Sequence, residues 1–146
     1  MGIPGRRILL VEDDPKLEAQ VLKTFQQLGF DITAAVQYDD VTRKLTEDPP
    51  ELVIVSLNLP RNSGYDVCEF IRADARLSGI QILITSDRTS PAAIAHAEDA
   101  GANAFLRKPF TIEQLRKYVG ALLDPRRPSR PSVRRLRRVN NPPTTT

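Results

Sequence analysis

Five short stretches of apolar, mostly branched residues recur at near-regular intervals along the chain. They are Ile8–Val11, Ile32–Ala35, Leu52–Leu57, Ile82–Thr85 and Ala104–Leu106. Within each stretch the hydrophobicity is nearly continuous and does not alternate with polar positions, which is typical of strands covered on both faces. The pattern therefore predicts five buried β-strands.

The segments between these strands have the periodicity of helices. In the first segment, apolar residues recur at helical spacing and form one stripe: Leu17, Val21, Leu22, Phe25 and Leu28. Such an alternation predicts an α/β fold, a doubly wound (βα)5 parallel sheet of the flavodoxin-like order 2-1-3-4-5. Helices should cover both faces of this sheet through right-handed crossovers.

Capping residues mark the ends of several predicted helices. Asp14 and Ser90 each precede a proline at the first helical position. Thr111 and Gln114 have the spacing of a capping box. Glycines, which favour the left-handed conformation that ends a helix, follow the first and fourth helices at Gly29 and Gly101.

The predicted strand order also predicts where a ligand site lies. In a 2-1-3-4-5 sheet the switch point falls between the first and third strands, and ligands bind beyond the carboxyl ends of the strands. Polar and charged side chains follow or end four of these strands: Glu12, Asp13, Ser56, Asn58, Thr85 and Lys108. The sequence thus places carboxylates, hydroxyls and an amine at one edge.

Charge divides the chain into two parts. Residues 1–124 contain all 18 acidic residues and 14 of the 21 basic ones, a net charge of −4, whereas residues 125–146 contain seven Arg and no acid. Prolines interrupt the second part, and its polar composition cannot bury enough apolar surface to fold alone. We therefore expect one domain at 1–124 and a basic, Pro- and Arg-rich tail at 125–146 that is disordered. A marginal amphipathic helix is the alternative there, since Val133, Leu136 and Val139 are spaced by three.

The arginines of the tail allow three interpretations. They are Arg126, Arg127, Arg130, Arg134, Arg135, Arg137 and Arg138. They could belong to a linker, bind nucleic acid or another polyanion in a salt-dependent way, or contact an acidic protein surface such as that of the chain's own domain. No aromatic residues interleave them and no helix-turn-helix is present, so nucleic acid would be bound through the tail alone.

Nothing in the sequence indicates secretion or a membrane span. Residues 1–7 lack the apolar segment of a signal peptide, and no apolar run approaches the ~20 residues that a span requires. The single cysteine, Cys68, cannot form an internal disulfide and is expected to be a small buried hydrophobic residue. We expect a cytoplasmic protein that does not contact a membrane.

Three motifs resemble those of the receiver domains of two-component response regulators. They are Ile8–Pro15, Gly101–Phe110, and Leu59-Pro60 with Ser63-Gly64, the last matching the loop that opens the third helix. The resemblance covers about residues 6–123, with each motif at the matching strand end. It implies a signalling module with the fold predicted above.

The resemblance also implies roles for individual residues. Glu12 and Asp13 match the acidic pair that holds Mg²⁺, and Asn58 matches the position whose backbone carbonyl binds the metal. The switch hydroxyl, the aromatic switch residue and the lysine that contacts the phosphoryl group are matched by Thr85, Phe105 and Lys108.

Ser56 departs from the family pattern, because it occupies the position of the phosphoacceptor aspartate. A carboxylate is a ready nucleophile at neutral pH, whereas a serine hydroxyl needs a general base. The one histidine, His96, falls on the fourth helix, and Lys108 lies among carboxylates that favour its charged form. We therefore expect no phosphoryl transfer to residue 56, no enzymatic activity and no required cofactor, although Glu12 and Asp13 could bind Mg²⁺ weakly.

We interpret the chain as a pseudo-receiver that signals through protein–protein contact. The surface of the fourth helix, fifth strand and fifth helix would contact a signalling partner or a second copy through Ala92, His96, Phe105, Arg107, Glu113 and Lys117. Two alternatives stay open. One is a working phosphorelay receiver that uses Asp13 or phosphorylated Ser56, and the other is a regulator that binds a polyanion through its tail.

Overall fold

A computed structural model describes residues 5–126, and within this range strands and helices alternate throughout. The five strands are β1 (Arg7–Val11), β2 (Asp31–Ala35), β3 (Leu52–Ser56), β4 (Gln81–Ser86) and β5 (Ala104–Arg107). The five α-helices in the same range are α1 (Pro15–Gln27), α2 (Tyr38–Glu47), α3 (Gly64–Ala73), α4 (Pro91–Ala100) and α5 (Ile112–Leu122). A short 3₁₀ turn, Ala75–Leu77, follows α3. The predicted (βα)5 alternation is confirmed.

The strands form one parallel sheet in the order β2-β1-β3-β4-β5, as predicted. Val11 pairs with Val55 and Ser56 pairs with Thr85, so the carboxyl ends of three neighbouring strands lie at one level. Leu57, predicted as the last residue of the third strand, lies just beyond β3. Its carbonyl accepts a hydrogen bond from the N–H of Gly64, which turns the chain into α3.

Two hydrophobic cores lie on opposite faces of the sheet because successive strand residues point to opposite sides. In β3, Val53 and Val55 pack towards α2, α3 and α4, whereas Leu52 and Ile54 pack towards α1 and α5. Every residue of β3 is buried. Burial on both faces explains why the strand sequences are continuously apolar.

The helix ends follow the capping signals of the sequence. Asp14 and Ser90 accept hydrogen bonds at the starts of α1 and α4, and Thr111 forms a reciprocal capping box with Gln114. Gly29 and Gly101 have positive φ values of 97° and 108°. A second capping box opens α3, formed by Ser63 and Asp66, which the sequence analysis did not identify.

The described range ends shortly after α5. Arg126 donates to the Asp124 carboxylate from its backbone N–H and from its guanidinium, which closes a turn there. The remaining tail arginines, Arg127, Arg130, Arg134, Arg135, Arg137 and Arg138, lie outside the described residues, as do Val133, Leu136 and Val139. The hypotheses about the tail therefore stay predictions. Between residues 5 and 126, no helix is long and apolar enough to cross a bilayer.

Candidate functional site

The carboxyl edge of the sheet brings together side chains that are far apart in the sequence. Glu12 directly follows β1, Ser56 ends β3, Thr85 lies near the end of β4, and Lys108 directly follows β5. Glu12, Ser56 and Thr85 are buried. The pocket predicted from the strand order therefore contains a carboxylate, two hydroxyls and an amine.

Lys108 occupies the centre of this group. Its Nζ lies 3.0 Å from Glu12 Oε1, 3.2 Å from Glu12 Oε2 and 3.1 Å from Ser56 Oγ. The Glu12 side chain is 3% exposed and that of Lys108 is 22% exposed, so the ion pair lies largely out of water. Coulombic attraction is stronger there than at the surface. Glu12 Oε2 also accepts the backbone N–H of Asp14 at 3.0 Å, so the protein itself supplies partners to both carboxylate oxygens.

Ser56 Oγ accepts a hydrogen bond from Lys108, and within residues 5–126 no base is hydrogen-bonded to it. A nucleophilic serine needs a neighbouring base to take its proton. The nearby amine is an ammonium paired with Glu12, and a group that donates a proton to the serine oxygen does not remove one from it. The arrangement therefore holds Ser56 as a hydrogen-bond acceptor.

His96 lies at the junction of α3 and α4. Its imidazole stacks on the ring of Tyr65, with ring centroids 3.6 Å apart and planes 16° from parallel. The Tyr65 hydroxyl donates to the carbonyl of Ala93 at 3.1 Å, and burial raises the pKa of this hydroxyl. The sequence analysis placed His96 on the partner surface but missed Tyr65, because no local pattern relates α3 to α4.

Gly64 allows the start of α3 to approach the end of β3. A Cβ atom at this position would lie 2.8 Å from the carbonyl oxygen of Ser56 and 3.1 Å from Leu57 Cα. Backbone atoms cannot move aside as a flexible side chain can. The resemblance assigned Gly64 to the loop that opens the third helix, and this close approach supplies the physical reason for a glycine.

The donor atoms at this edge do not fit the Mg²⁺ ion that the resemblance implies. Among residues 5–126, no group of three or more His, Cys, Asp and Glu side chains could hold a metal ion. Glu12 is paired with Lys108, and Ser56 offers a neutral hydroxyl at the position of a carboxylate. Asp13 and Asn58 are exposed. One unengaged carboxylate is a poor set of ligands for an ion that demands octahedral oxygen coordination.

Thr85 and Phe105, the two residues matched to the switch, are buried and partly buried, respectively. Thr85 is 1% exposed, and its carbonyl accepts the backbone N–H of Leu57 at 2.9 Å. Phe105 is partly buried and packs against the core that faces α2, α3 and α4. The switch roles of Thr85 and Phe105 stay predictions.

Most of the predicted partner residues are exposed on α4, β5 and α5. These are Ala92, His96, Arg107, Glu113 and Lys117, whereas Phe105 is partly buried. Glu113 also pairs with Arg116 at 3.6 Å. Tyr118 of α5, 38% exposed, was missed, although helical spacing could have found it because it lies outside the stripe of core positions Leu115 and Val119.

Comparisons with known proteins agree with this geometry. A family model of the response regulator receiver domain matches residues 8–120. The DNA-binding response regulator MtrA of Mycobacterium bovis is 36% identical over 126 residues, which cover 84% of this chain and 53% of the relative. The dual master transcriptional regulator RpaA of Synechocystis is 32% identical over 117 residues, covering 80% of this chain and 48% of the relative. The chain thus spans about half the length of these curated relatives.

Solved structures share the fold. The chemotaxis response regulator CheY4 of Vibrio cholerae superposes with a TM-score of 0.77 at 24% identity, over 82% of this chain and 99% of that one. The receiver domain of HemR from Leptospira biflexa has a TM-score of 0.76 at 24% identity, over 84% and 98% of the two chains. On the strength of the family model and the curated relatives, the chain belongs to the response regulator receiver domain family, whose members are modules of two-component signalling.

Proposed function

We propose that this chain is a receiver module that signals by contacting partner proteins and does not accept a phosphoryl group at residue 56. The observation that carries the proposal is the state of Ser56. Its hydroxyl oxygen is 3.1 Å from the Lys108 ammonium, and the side chain is buried. A buried serine without a base is a poor nucleophile.

Charge compensation in the pocket supports the same conclusion. Phosphoryl transfer depends on positive charge placed to stabilise the oxygens of the transferring group. Lys108 is the cation in contact with Ser56, and its charge is already balanced by Glu12 at 3.0 Å. An incoming phosphoryl group would have to break that pair. Ser56 has no carboxylate oxygen that could attack the phosphorus atom.

Incubation of the full chain with a small acyl phosphate and MgCl₂, followed by intact-mass measurement, tests the proposal. We expect no phosphorylated species. Ser56→Asp is the matched variant, because it restores the carboxylate without changing other residues. An acid-labile phosphoryl group mapped to Asp13 would support a phosphorelay receiver with another acceptor, and phosphoserine at Ser56 would equally contradict the proposal.

The proposed contact surface is the exposed part of α4, β5 and α5. It presents charged side chains at Arg107 and Lys117 and an aromatic ring at Tyr118. Aromatic and arginine side chains are enriched at the centres of protein interfaces. Light scattering over a range of protein concentrations would detect self-association. Arg107→Glu should weaken it, whereas Lys23→Glu, at an exposed lysine of α1, should not.

A further inference from the structure

We infer that the Lys108 ammonium is the resident cation of this pocket and that it excludes divalent cations. The inference deepens the proposed function and rests on it in one respect, since a phosphoryl group on Ser56 would itself attract a metal ion. In an unphosphorylated chain the inference depends only on the arrangement of Glu12, Ser56 and Lys108.

The contacts show that the ammonium already engages two of the side chains that a metal would need, Glu12 and Ser56. It lies within 3.0 and 3.2 Å of the two Glu12 oxygens and 3.1 Å from Ser56 Oγ. One Glu12 oxygen takes a further hydrogen bond from the N–H of Asp14. A metal ion that bound Glu12 would have to displace Lys108, which would then lie beside a second positive charge.

The charge count explains why the metal should lose this competition. Glu12 and Asp13 bring two negative charges and Lys108 brings one positive charge, so the pocket carries a net charge of only −1. An aspartate at position 56 would bring that charge to −2. Mg²⁺ dehydrates reluctantly, and Asp13 is exposed to water that competes for the ion.

The ion pair is also costly to break from either side. Glu12 is 3% exposed, and a buried carboxylate that loses its partner is strongly unfavourable. The charge of Glu12 is therefore neutralised by the protein's own Lys108, and the conformation of the pocket should not respond to the concentration of Mg²⁺.

A magnesium titration of the full chain and of the Lys108→Met variant tests the inference. For the wild type we expect no saturable change on adding MgCl₂, either in the melting temperature or in the NMR signal of Lys108 Nζ. Lys108→Met leaves Glu12 without its cation, so this variant should melt at a lower temperature and regain stability as MgCl₂ is added. Its apparent affinity for Mg²⁺ should exceed that of the wild type by about tenfold or more.

Two control variants separate this effect from general ones. The double variant Glu12→Gln/Lys108→Met lacks both charges of the pair and should be insensitive to MgCl₂. Lys23→Met removes an exposed lysine of α1 and should behave as the wild type.

Each outcome decides the inference. Saturable displacement of the Lys108 Nζ signal by MgCl₂ in the wild type would overturn it, and so would a response of Lys108→Met no larger than that of the double variant. Should Lys108→Met not fold, the wild-type titration decides alone. Magnesium binding to the wild type without labelling by acyl phosphate would refute this inference and leave the proposed function standing, whereas labelling of Ser56 would refute the proposed function.

Discussion

At residue 56, the side chain is a neutral hydroxyl, and this sets both the charge of the pocket and the role of its neighbour Lys108. A hydroxyl can accept one hydrogen bond from the ammonium, but it leaves the full positive charge to Glu12. The pocket thereby becomes a nearly neutral, internally bonded group.

Ser56→Asp should reverse this change. The new carboxylate adds a third acidic side chain next to Glu12 and Asp13, so we expect Mg²⁺ to bind and to shift backbone amide signals around the pocket. Ser56→Ala is the control, because it removes the hydrogen bond without adding charge. If Ser56→Asp gains no response to Mg²⁺ or to acyl phosphate, the geometry of the site has been rebuilt around the serine.

Gly64 is the residue whose substitution should harm the fold most directly at this edge. A methyl group there meets the backbone of Ser56 at 2.8 Å, so Gly64→Ala should lower the free energy of unfolding by about 1–3 kcal/mol. Gly120 of α5 is the matched control, since its Cβ would meet nothing within 4 Å. Gly120→Ala should raise stability by roughly 0.5–1 kcal/mol, because alanine favours the helix. Urea denaturation measures both, and equal effects would contradict the proposed close approach.

Asp74 should contribute a small, pH-dependent stabilisation. Hydrogen bonds from the side chain and the backbone N–H of Arg76 lower the pKa of the Asp74 carboxyl below its ordinary value of 3.8. A lowered pKa in the folded state stabilises the protein above pH 3.8, and this stabilisation disappears as the pH falls through the lowered value. Asp74→Asn should therefore be less stable than the wild type at neutral pH, and the difference should shrink in acid. A difference that is constant down to acid pH would mean that the carboxylate charge contributes nothing.

At the scale of elements, one pair of side chains links α3 to α4 near the proposed contact surface. Tyr65 reaches across to stack on His96 and to bond the carbonyl of Ala93. Because α4 belongs to the proposed contact surface, this pair should help to hold that surface in one position.

Two single variants separate the contributions of this junction. Tyr65→Phe removes the hydrogen bond and keeps the ring, with an expected loss of about 0.5–1.5 kcal/mol. His96→Ala removes the stack and keeps the hydrogen bond. His96→Ala, Tyr65→Ala and the variant that carries both changes form a double-mutant cycle. The coupling energy between the two rings should be about 0.5–1.5 kcal/mol. In His96→Ala, amide hydrogen exchange should accelerate in α4 more than in α1. Unchanged exchange in α4 would contradict the role of the stack.

At the scale of the whole molecule, charge is distributed unevenly between the domain and the tail. Residues 127–146 contain six of the 21 basic residues and no acid, so the rest of the chain has 15 basic and 18 acidic residues, a net charge of −3. The described domain should therefore not attract polyanions without the tail.

Deletion of residues 127–146 tests this expectation. The full chain should be retained on heparin or duplex DNA at low salt and released as salt rises, because the contacts are with phosphate or sulfate groups. The shortened chain should not be retained. As a control for composition, a variant with the six tail arginines changed to Gln should behave as the deletion does. Equal retention of all three chains would exclude a polyanion-binding role for the tail.

The sequence by itself determined the architecture of the domain. Continuous apolar strands, helical stripes and caps are properties of residues within a few positions of each other, so the alternation of strands and helices and most helix ends could be predicted. The strand order 2-1-3-4-5 was predicted as the flavodoxin-like order of a doubly wound sheet. The prediction that residue 56 accepts no phosphoryl group depends only on the identity of that residue. Strand ends were predicted less well, since Leu57 leaves the sheet when its carbonyl bonds to Gly64.

Only the tertiary structure decided which partners the pocket residues take. Lys108 bonds to Glu12, 96 positions away, and to Ser56, 52 positions away, and such contacts exist only once three strands lie side by side. The stack of His96 on Tyr65 likewise requires two helices to pack on one face of the sheet. The physical reason is that local propensities act over one or two helical turns. Whether Glu12 contacts a metal ion or the Lys108 ammonium depends instead on distances that are set by the packing of the whole domain.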